Sequence, residues 1–308
     1  MISKNKKELL LVILSTLLFS ASLFFISKTV GEDRSFGFII GVLGLLLLSM
    51  ISFGFASSLV RSKRPVIISG LVSAVLVLIF FQWHWLQFIS ALFIFLGMWL
   101  MDRYIKGAEK ESLHFGFRRT VSRGLGYLLT AVVMLIAFNV FLLIFNKLQE
   151  NPDNFYQSIA ASVVRGAEPI FSRGVEGYDT EGTVNDFLDT SRYFEPENVP
   201  DIAPNSEIRQ VQLQSLEEVL GIDLTGREKL DDVLKDVVYF RVKNTLRPVE
   251  KLLPLIYALL IFVSLRFLQP ILVFLAGIIG GVLFKSAVRA GWIKMTSRTV
   301  EVETPELS

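Results

Sequence analysis

Long apolar runs separated by short polar ones fill the first half of the chain, give way to mixed polar sequence over residues 148–250, and then return. A helix that crosses a bilayer needs about 20 apolar residues to cover a hydrocarbon core of about 30 Å. That rule predicts spans at residues 9–27, 36–60, 65–81, 85–101 and 125–145. Lys4, Lys6 and Lys7 precede the first run, and Ser20, Ala21 and Ser22 supply small residues inside it, so it has the layout of a signal sequence. The apolar run continues through Phe24, Phe25 and Ile26, which favours an uncleaved first span. Between the third and fourth runs, Gln82-Trp83-His84-Trp85 predicts a tight turn with its indoles in the headgroup layer.

The last run, residues 253–283, is too long for one crossing at about 1.5 Å per residue, and Arg266, Gln269 and Pro270 interrupt it. Proline removes a backbone donor and crowds the preceding turn. The pattern therefore reads as two short spans, 253–267 and 270–284, with a kinked single span and a re-entrant piece as the alternative. The expected fold is all-α: a polytopic integral membrane protein of about seven transmembrane helices, six being the alternative. Residues 1–147 form a five-span domain, 148–250 a helical extracytoplasmic domain, 251–285 a transmembrane hairpin and 286–308 a polar tail.

Charge sets the orientation. Net charge is only +2, yet acidic residues outnumber basic ones two to one between residues 148 and 250, and the reverse holds elsewhere. Loops rich in Lys and Arg stay in the cytoplasm. The N-terminal lysines, the Arg61-Lys63-Arg64 loop and the loop carrying Arg103, Lys106, Lys110, Arg118, Arg119 and Arg123 fall on one side if every span crosses. The other side has Lys28 and Arg34. The N-terminus is expected in the cytoplasm of a plasma-membrane protein and the acidic segment outside. Seven spans place Arg266 at a cytoplasmic hairpin tip but export the tail, although Lys285, Arg289, Lys294 and Arg298 argue for an inside tail. Six spans retain the tail and leave Arg266 in lipid, where it must snorkel or pair.

Inside the aqueous segment the period changes to that of amphipathic helices. Asn151 caps one that begins with Pro152 and carries Phe155, Ile159 and Val163 as a stripe; Pro169 is expected to end or kink it. Residues 174–204 read mainly as loop, with a short turn at 184–188. A second helix starts near Ser206 and stops at Gly221. Thr225 and Glu228 have capping-box spacing before a third, which Pro248 breaks.

Composition mainly excludes. Hydrophobic residues make up 52% of the chain, there are 26 Phe, no Cys and 2 His. Cysteine-based redox, nucleophile and metal chemistry are thereby ruled out, and zinc has few ligands. Nucleotide-binding loops, zinc-protease and serine-hydrolase signatures are missing. Of the intramembrane polar residues, Arg266 reads as an interfacial anchor and Asn139 as a hydrogen-bonding partner for a neighbouring helix, with a pore-lining role as its alternative. Gly37, Gly41 and Gly44, and likewise Gly277 and Gly281, are spaced for close helix approach, within one subunit or between copies. The Glu32-Asp33-Arg34 loop suits a glycosyltransferase acting on lipid-linked sugar only weakly. Glu228, Asp231, Asp232 and Asp236 alternate with lysines and read as a solvated face rather than a calcium site. His84 reads as an interfacial residue, and His114, beside Phe115, Phe117, Arg118 and Arg119, as part of a headgroup-contacting loop. No catalytic residue, metal or cofactor is assigned. The expected partners are the lipid bilayer and a protein partner or second copy, with no nucleic acid. The expected role is a non-enzymatic membrane scaffold or subunit, with a transporter or channel component as the alternative.

Overall fold

The computed structural model describes residues 4–30, 35–60, 62–81, 84–111, 116–175, 179, 182–190 and 205–295. Every regular element within them is helical. The chain divides into two compact units, Met1–Leu143 with Pro254–Ser308, and Ile144–Leu253. The Asp33 loop, His114, Gln82, Trp83, Arg61 and the tail beyond residue 295 lie outside the described residues.

The first unit is built from α1 (Lys4–Thr29), α2 (Phe36–Leu59), α3 (Lys63–Phe80), α4 (Gln87–Glu111), α5 (Phe117–Glu150) and α10 (Leu253–Arg289). In lipid no water is present to satisfy backbone N–H and C=O groups, so apolar sequence of this length closes its hydrogen bonds within a helix. Among the described residues, five helical runs are long and apolar enough to cross a membrane: Lys6–Thr29, Phe36–Leu59, Gln87–Lys110, Phe117–Glu150 and the run Leu230–Arg289 that contains α10. Arg64–Phe80 is apolar but shorter. The chain is a membrane protein.

The expected hairpin at residues 253–284 does not form. α10 is one helix of 37 residues that runs straight through Pro270. The reason is an unequal choice of backbone losses. Continuing the helix past a proline gives up one hydrogen bond, whereas a turn in hydrocarbon strips partners from several groups at once, each costing several kcal/mol. Arg266 therefore sits inside a helix rather than at a loop tip.

Contacts between helices fix their directions. Ser15 meets Ser52 (Oγ to Oγ 2.7 Å) and Phe25 stacks edge-on to Phe38, so α1 and α2 are antiparallel. Thr16 meets Ser69 at 2.7 Å and Phe24 meets Phe80, so α1 and α3 are parallel. Gln87 pairs with Asn139 near the start of α4, while Ile105 near its end lies against Gly124, so α4 and α5 are antiparallel. Gln269 reaches Gly126, and Phe117 packs on Gly280, so α5 and α10 are antiparallel too. One end of the bundle thus gathers Lys6 and Lys7 of α1, Arg103 and Lys106 of α4, Arg118 and Arg119 of α5, and Lys285 and Arg289 of α10. The opposite end holds Lys28 and the turn at His84.

The bundle core is apolar and fully buried at Phe19, Leu23, Phe53, Met50, Met98 and Leu128. Glycines let its helices approach closely, but mostly not those the spacing singled out. A Cβ on Gly124 would meet the Met101 carbonyl oxygen at 2.7 Å, and one on Gly54 would meet Val121 at 2.6 Å. Gly97 against Ala131 and Gly280 against Phe117 are as tight.

The second unit is described by itself: α6 (Pro152–Gly174), α7 (Val184–Thr190), α8 (Asn205–Leu220), α9 (Leu230–Leu246) and a 3-10 turn at Arg247–Leu252. The Asn151 side chain accepts from the Asn154 N–H at 3.0 Å, opening α6 as its sequence predicts. Pro169 does not end that helix, which continues to Gly174. Thr183 and Asp186 form a capping box for α7: the Thr183 N–H and hydroxyl both donate to Asp186 Oδ2, at 2.8 and 2.7 Å. The predicted turn is thus a true helix. Gly221, at φ 73°, stops α8 in the left-handed conformation that glycine adopts cheaply. Val184, Leu188, Leu216, Leu224, Leu230 and Val233 make a small core.

Candidate functional site

Besides the Ser15–Ser52 and Thr16–Ser69 pairs, two polar clusters that involve α5 lie within the apolar bundle among the described residues. The first is a sealed pair. Gln87 Nε2 donates to Asn139 Oδ1 at 2.5 Å, and Asn139 Nδ2 donates to the Leu135 carbonyl at 2.8 Å. Gln87 is 1% and Asn139 7% exposed. The space beside Gln87 and His84 amounts to about 10 Å³, too small for a solute. This arrangement bonds two helices. Gln87 escapes a sequence reading because it is a lone amide just inside an apolar run.

The second cluster is open. The Thr130 hydroxyl donates to the Gly126 carbonyl at 2.8 Å and accepts from Arg266 Nη1 at 2.5 Å and Gln269 Nε2 at 3.0 Å. Gln269 Nε2 also reaches the Gly126 carbonyl at 2.7 Å, and Arg266 Nη1 donates to Gln269 Oε1. A helix built around residue 266 places Gln269 one turn further on the same face, so the two side chains meet Thr130 together. Gln269 is buried, but Arg266 is exposed on the bundle surface. Beside it runs a cleft of about 260 Å³ lined by Gly126, Arg266, Gln269, Pro270 and Val273. Among the described residues Arg266 forms no ion pair, and its Nη2 and Nε take no hydrogen bond.

Depth makes that cation unusual. Phe117 is level with Gly280 at the basic end, and Asn139 is level with Gln87 at the other. At about 1.5 Å per residue, Thr130 lies about 20 Å from the first level and about 14 Å from the second. Arg266, tied to Thr130, stands near mid-depth of the bundle.

The glycines divide. Among the described residues, a Cβ on Gly37, Gly41 or Gly44 would meet nothing within 4 Å, so that stripe faces outward on α2. A Cβ on Gly277 would lie 2.7 Å from Ser122 Oγ, whereas one on Gly281 would meet only Arg118 Cβ at 4.0 Å. Nearby, the Arg118 guanidinium covers the Phe274 ring at 4.6 Å.

In the second unit several acidic residues have internal partners. Lys235 pairs with Asp231 at 2.5 Å and Asp232 at 3.4 Å, and Glu228 accepts from the Thr225 hydroxyl at 2.6 Å. That hydrogen bond holds the Glu228 carboxyl below its usual range. The Thr225–Glu228 pair closes the approach to α9, which itself starts at Leu230. Asp153 takes Lys243 at 2.7 Å and the Tyr239 hydroxyl at 3.0 Å; the lysine first, and the phenol second, depress its carboxyl. The Tyr156 hydroxyl, buried, donates to Glu250 Oε2 at 2.8 Å; burial first and the adjacent carboxylate second push it up to about 12. No group of three or more metal-binding side chains occurs among the described residues.

Neither a protein-family model, a curated protein nor a solved structure matches the chain.

Proposed function

We propose that the protein is a six-span, non-enzymatic subunit of a membrane complex in the plasma membrane, with both termini in the cytoplasm and residues 144–253 outside. One observation carries this reading: α10 presents a long uncovered face, Leu255, Leu259, Val263, Phe267 and Ile271 all being exposed, and that face is broken at mid-depth by Arg266. A lipid-facing helix has no use for an arginine there, whereas a helix that meets a partner does. The collection of Lys and Arg at one end of the bundle supports the orientation, since six crossings return the basic end of α10 to the side of the N-terminus. In this reading the second unit is free to hold a partner or a second copy outside.

Gentle extraction followed by native mass measurement tests the role. The expected result is a mass above that of the single 34.7 kDa chain and lipid; a strict monomer that co-purifies with nothing overturns it. The absence of cysteine makes topology easy to read. Asp232→Cys is expected to react with an impermeant reagent on intact cells, and Lys294→Cys only after permeabilisation. The opposite pattern overturns the orientation.

The open cleft at Arg266 gives a second reading, a transporter component with an anion path. Anion flux in vesicles containing the purified chain alone, lost in Arg266→Gln, would select it.

A further inference from the structure

We infer that the groove between α5 and α10 receives a transmembrane helix of a different protein, one that carries an Asp or Glu at the middle of its span, and that Arg266 is the residue that reads it. The inference rests on the membrane-subunit reading above and names the chemistry of the partner.

Three features of the groove lead to this occupant. First, the cation is fixed rather than loose. Both hydrogens of Nη1 are committed, to Thr130 and to Gln269, and Gln269 is itself anchored on the Gly126 carbonyl. A snorkelling arginine needs free rotation toward the interface; this one is tied sideways, to a residue at its own depth. The remaining edge, Nη2 with Nε, is the face that grips a carboxylate through two parallel hydrogen bonds, and it is unoccupied among the described residues. Second, the depth selects the source of the anion. Phospholipid phosphates lie about 15 Å from the mid-plane, beyond the reach of a held side chain. A carboxylate on a neighbouring helix arrives at the same depth by construction. Third, the shape fits. The cleft beside Arg266 is about 260 Å³, enough for one acidic side chain, and Gly126 with Pro270 and Val273 keeps its walls low and apolar.

The chain cannot supply that carboxylate from another copy of itself. Its apolar stretches contain no Asp or Glu near mid-span; Glu8 and Asp102 stand at the basic end. A second copy would bring Arg266 toward Arg266 or toward plain hydrocarbon. The inference is therefore of a heteromeric contact, with the partner acidic where this chain is basic.

The full-length protein, reconstituted in neutral phosphatidylcholine vesicles, tests this with synthetic leucine-rich single-span helices as probes. Energy transfer between labelled protein and labelled helix reports association. A helix with a central Asp is expected to associate, and an otherwise identical helix without it to associate roughly tenfold more weakly. Moving the Asp to the end of the span should abolish the advantage. Arg266→Gln should remove the preference for the Asp helix, and Arg266→Asp should transfer it to a helix with a central Lys. The comparison between probes uses the unaltered protein, so it stands even if a variant fails to fold. Equal association of the Asp and all-Leu helices overturns the inference. So does an Arg266-dependent enrichment of added phosphatidic acid with no helix preference, which would assign the cation to lipid. If the native preparation is a complex yet the Asp helix shows no preference, this inference falls while the subunit reading survives; a strict monomer in native extraction removes the reading itself.

Discussion

The two polar clusters on α5 use the same helix and similar chemistry, yet they solve opposite problems. At Asn139 and Gln87, two neutral amides face each other with no solute-sized space around them, and their polarity is spent joining α4 to α5. At Thr130, Gln269 and Arg266, the network is anchored on one side and open on the other, and it ends in a charge. A buried neutral pair contributes to the fold it sits in; an exposed mid-depth cation opposes membrane insertion unless it is paired.

Side-chain volume gives the largest test of that contrast. Gly124→Leu on the closed α4–α5 contact, where Met101 O and Ile105 leave no room, should cost about 3 kcal/mol or more, read as loss of thermal stability in detergent. Gly281→Leu on α10, with only Arg118 at 4.0 Å, should change stability by less than about 0.5 kcal/mol. Arg266→Leu should act in the opposite direction, improving insertion of an isolated α10 segment by about 3 kcal/mol in a translocation assay. Asn139→Leu should destabilise by about 1 kcal/mol because Gln87 loses its acceptor, and adding Gln87→Leu should recover part of that loss. Acid gives the smallest effect. The depressed Asp153 carboxyl contributes at pH values above the ordinary carboxylate range, and its contribution disappears as pH falls through its lowered value. Corrected for the intrinsic slowing of exchange in acid, the protection of amides in α6 and α9 should therefore fall only below about pH 4, while protection around both α5 clusters, which contain no carboxylate, stays unchanged.

Much of this was open to a reading of the sequence, and the failures have identifiable causes. The expected spans at residues 9–27, 36–60, 85–101 and 125–145 coincide, to within two residues at either end or inside a longer run, with helices long and apolar enough to cross a membrane, because hydrophobic length is a local property. The Asn151 cap and the Gly221 stop are local as well. Neither Pro169 nor Pro270 ends its helix; at Pro270, in an apolar setting, the loss of one hydrogen bond is small beside the backbone groups that a turn would strip of partners. The Thr183–Asp186 box passed unnoticed inside a Gly-rich, acidic stretch, where only a short turn was expected. Thr130 could not be singled out, because its partners Arg266 and Gln269 are far away along the chain and only the α5–α10 register brings them together. Spacing of glycines likewise cannot say which face they occupy; Gly124 and Gly97, outside any regular stripe, are among the closest approaches, while a Cβ on Gly37, Gly41 or Gly44 would meet nothing within 4 Å among the described residues.

The unequal lengths of α3 and α10 bear on where such a protein settles. With 18 residues, α3 is about 27 Å long, and α10, with 37, about 55 Å. In the six-span reading, a bilayer matched to α3 leaves part of α10 beyond its hydrocarbon core, so α10 either leans or carries its ends into water. Membrane thickness then bears unequally on the two helices, at a fraction of a kcal/mol for each ångström of misfit.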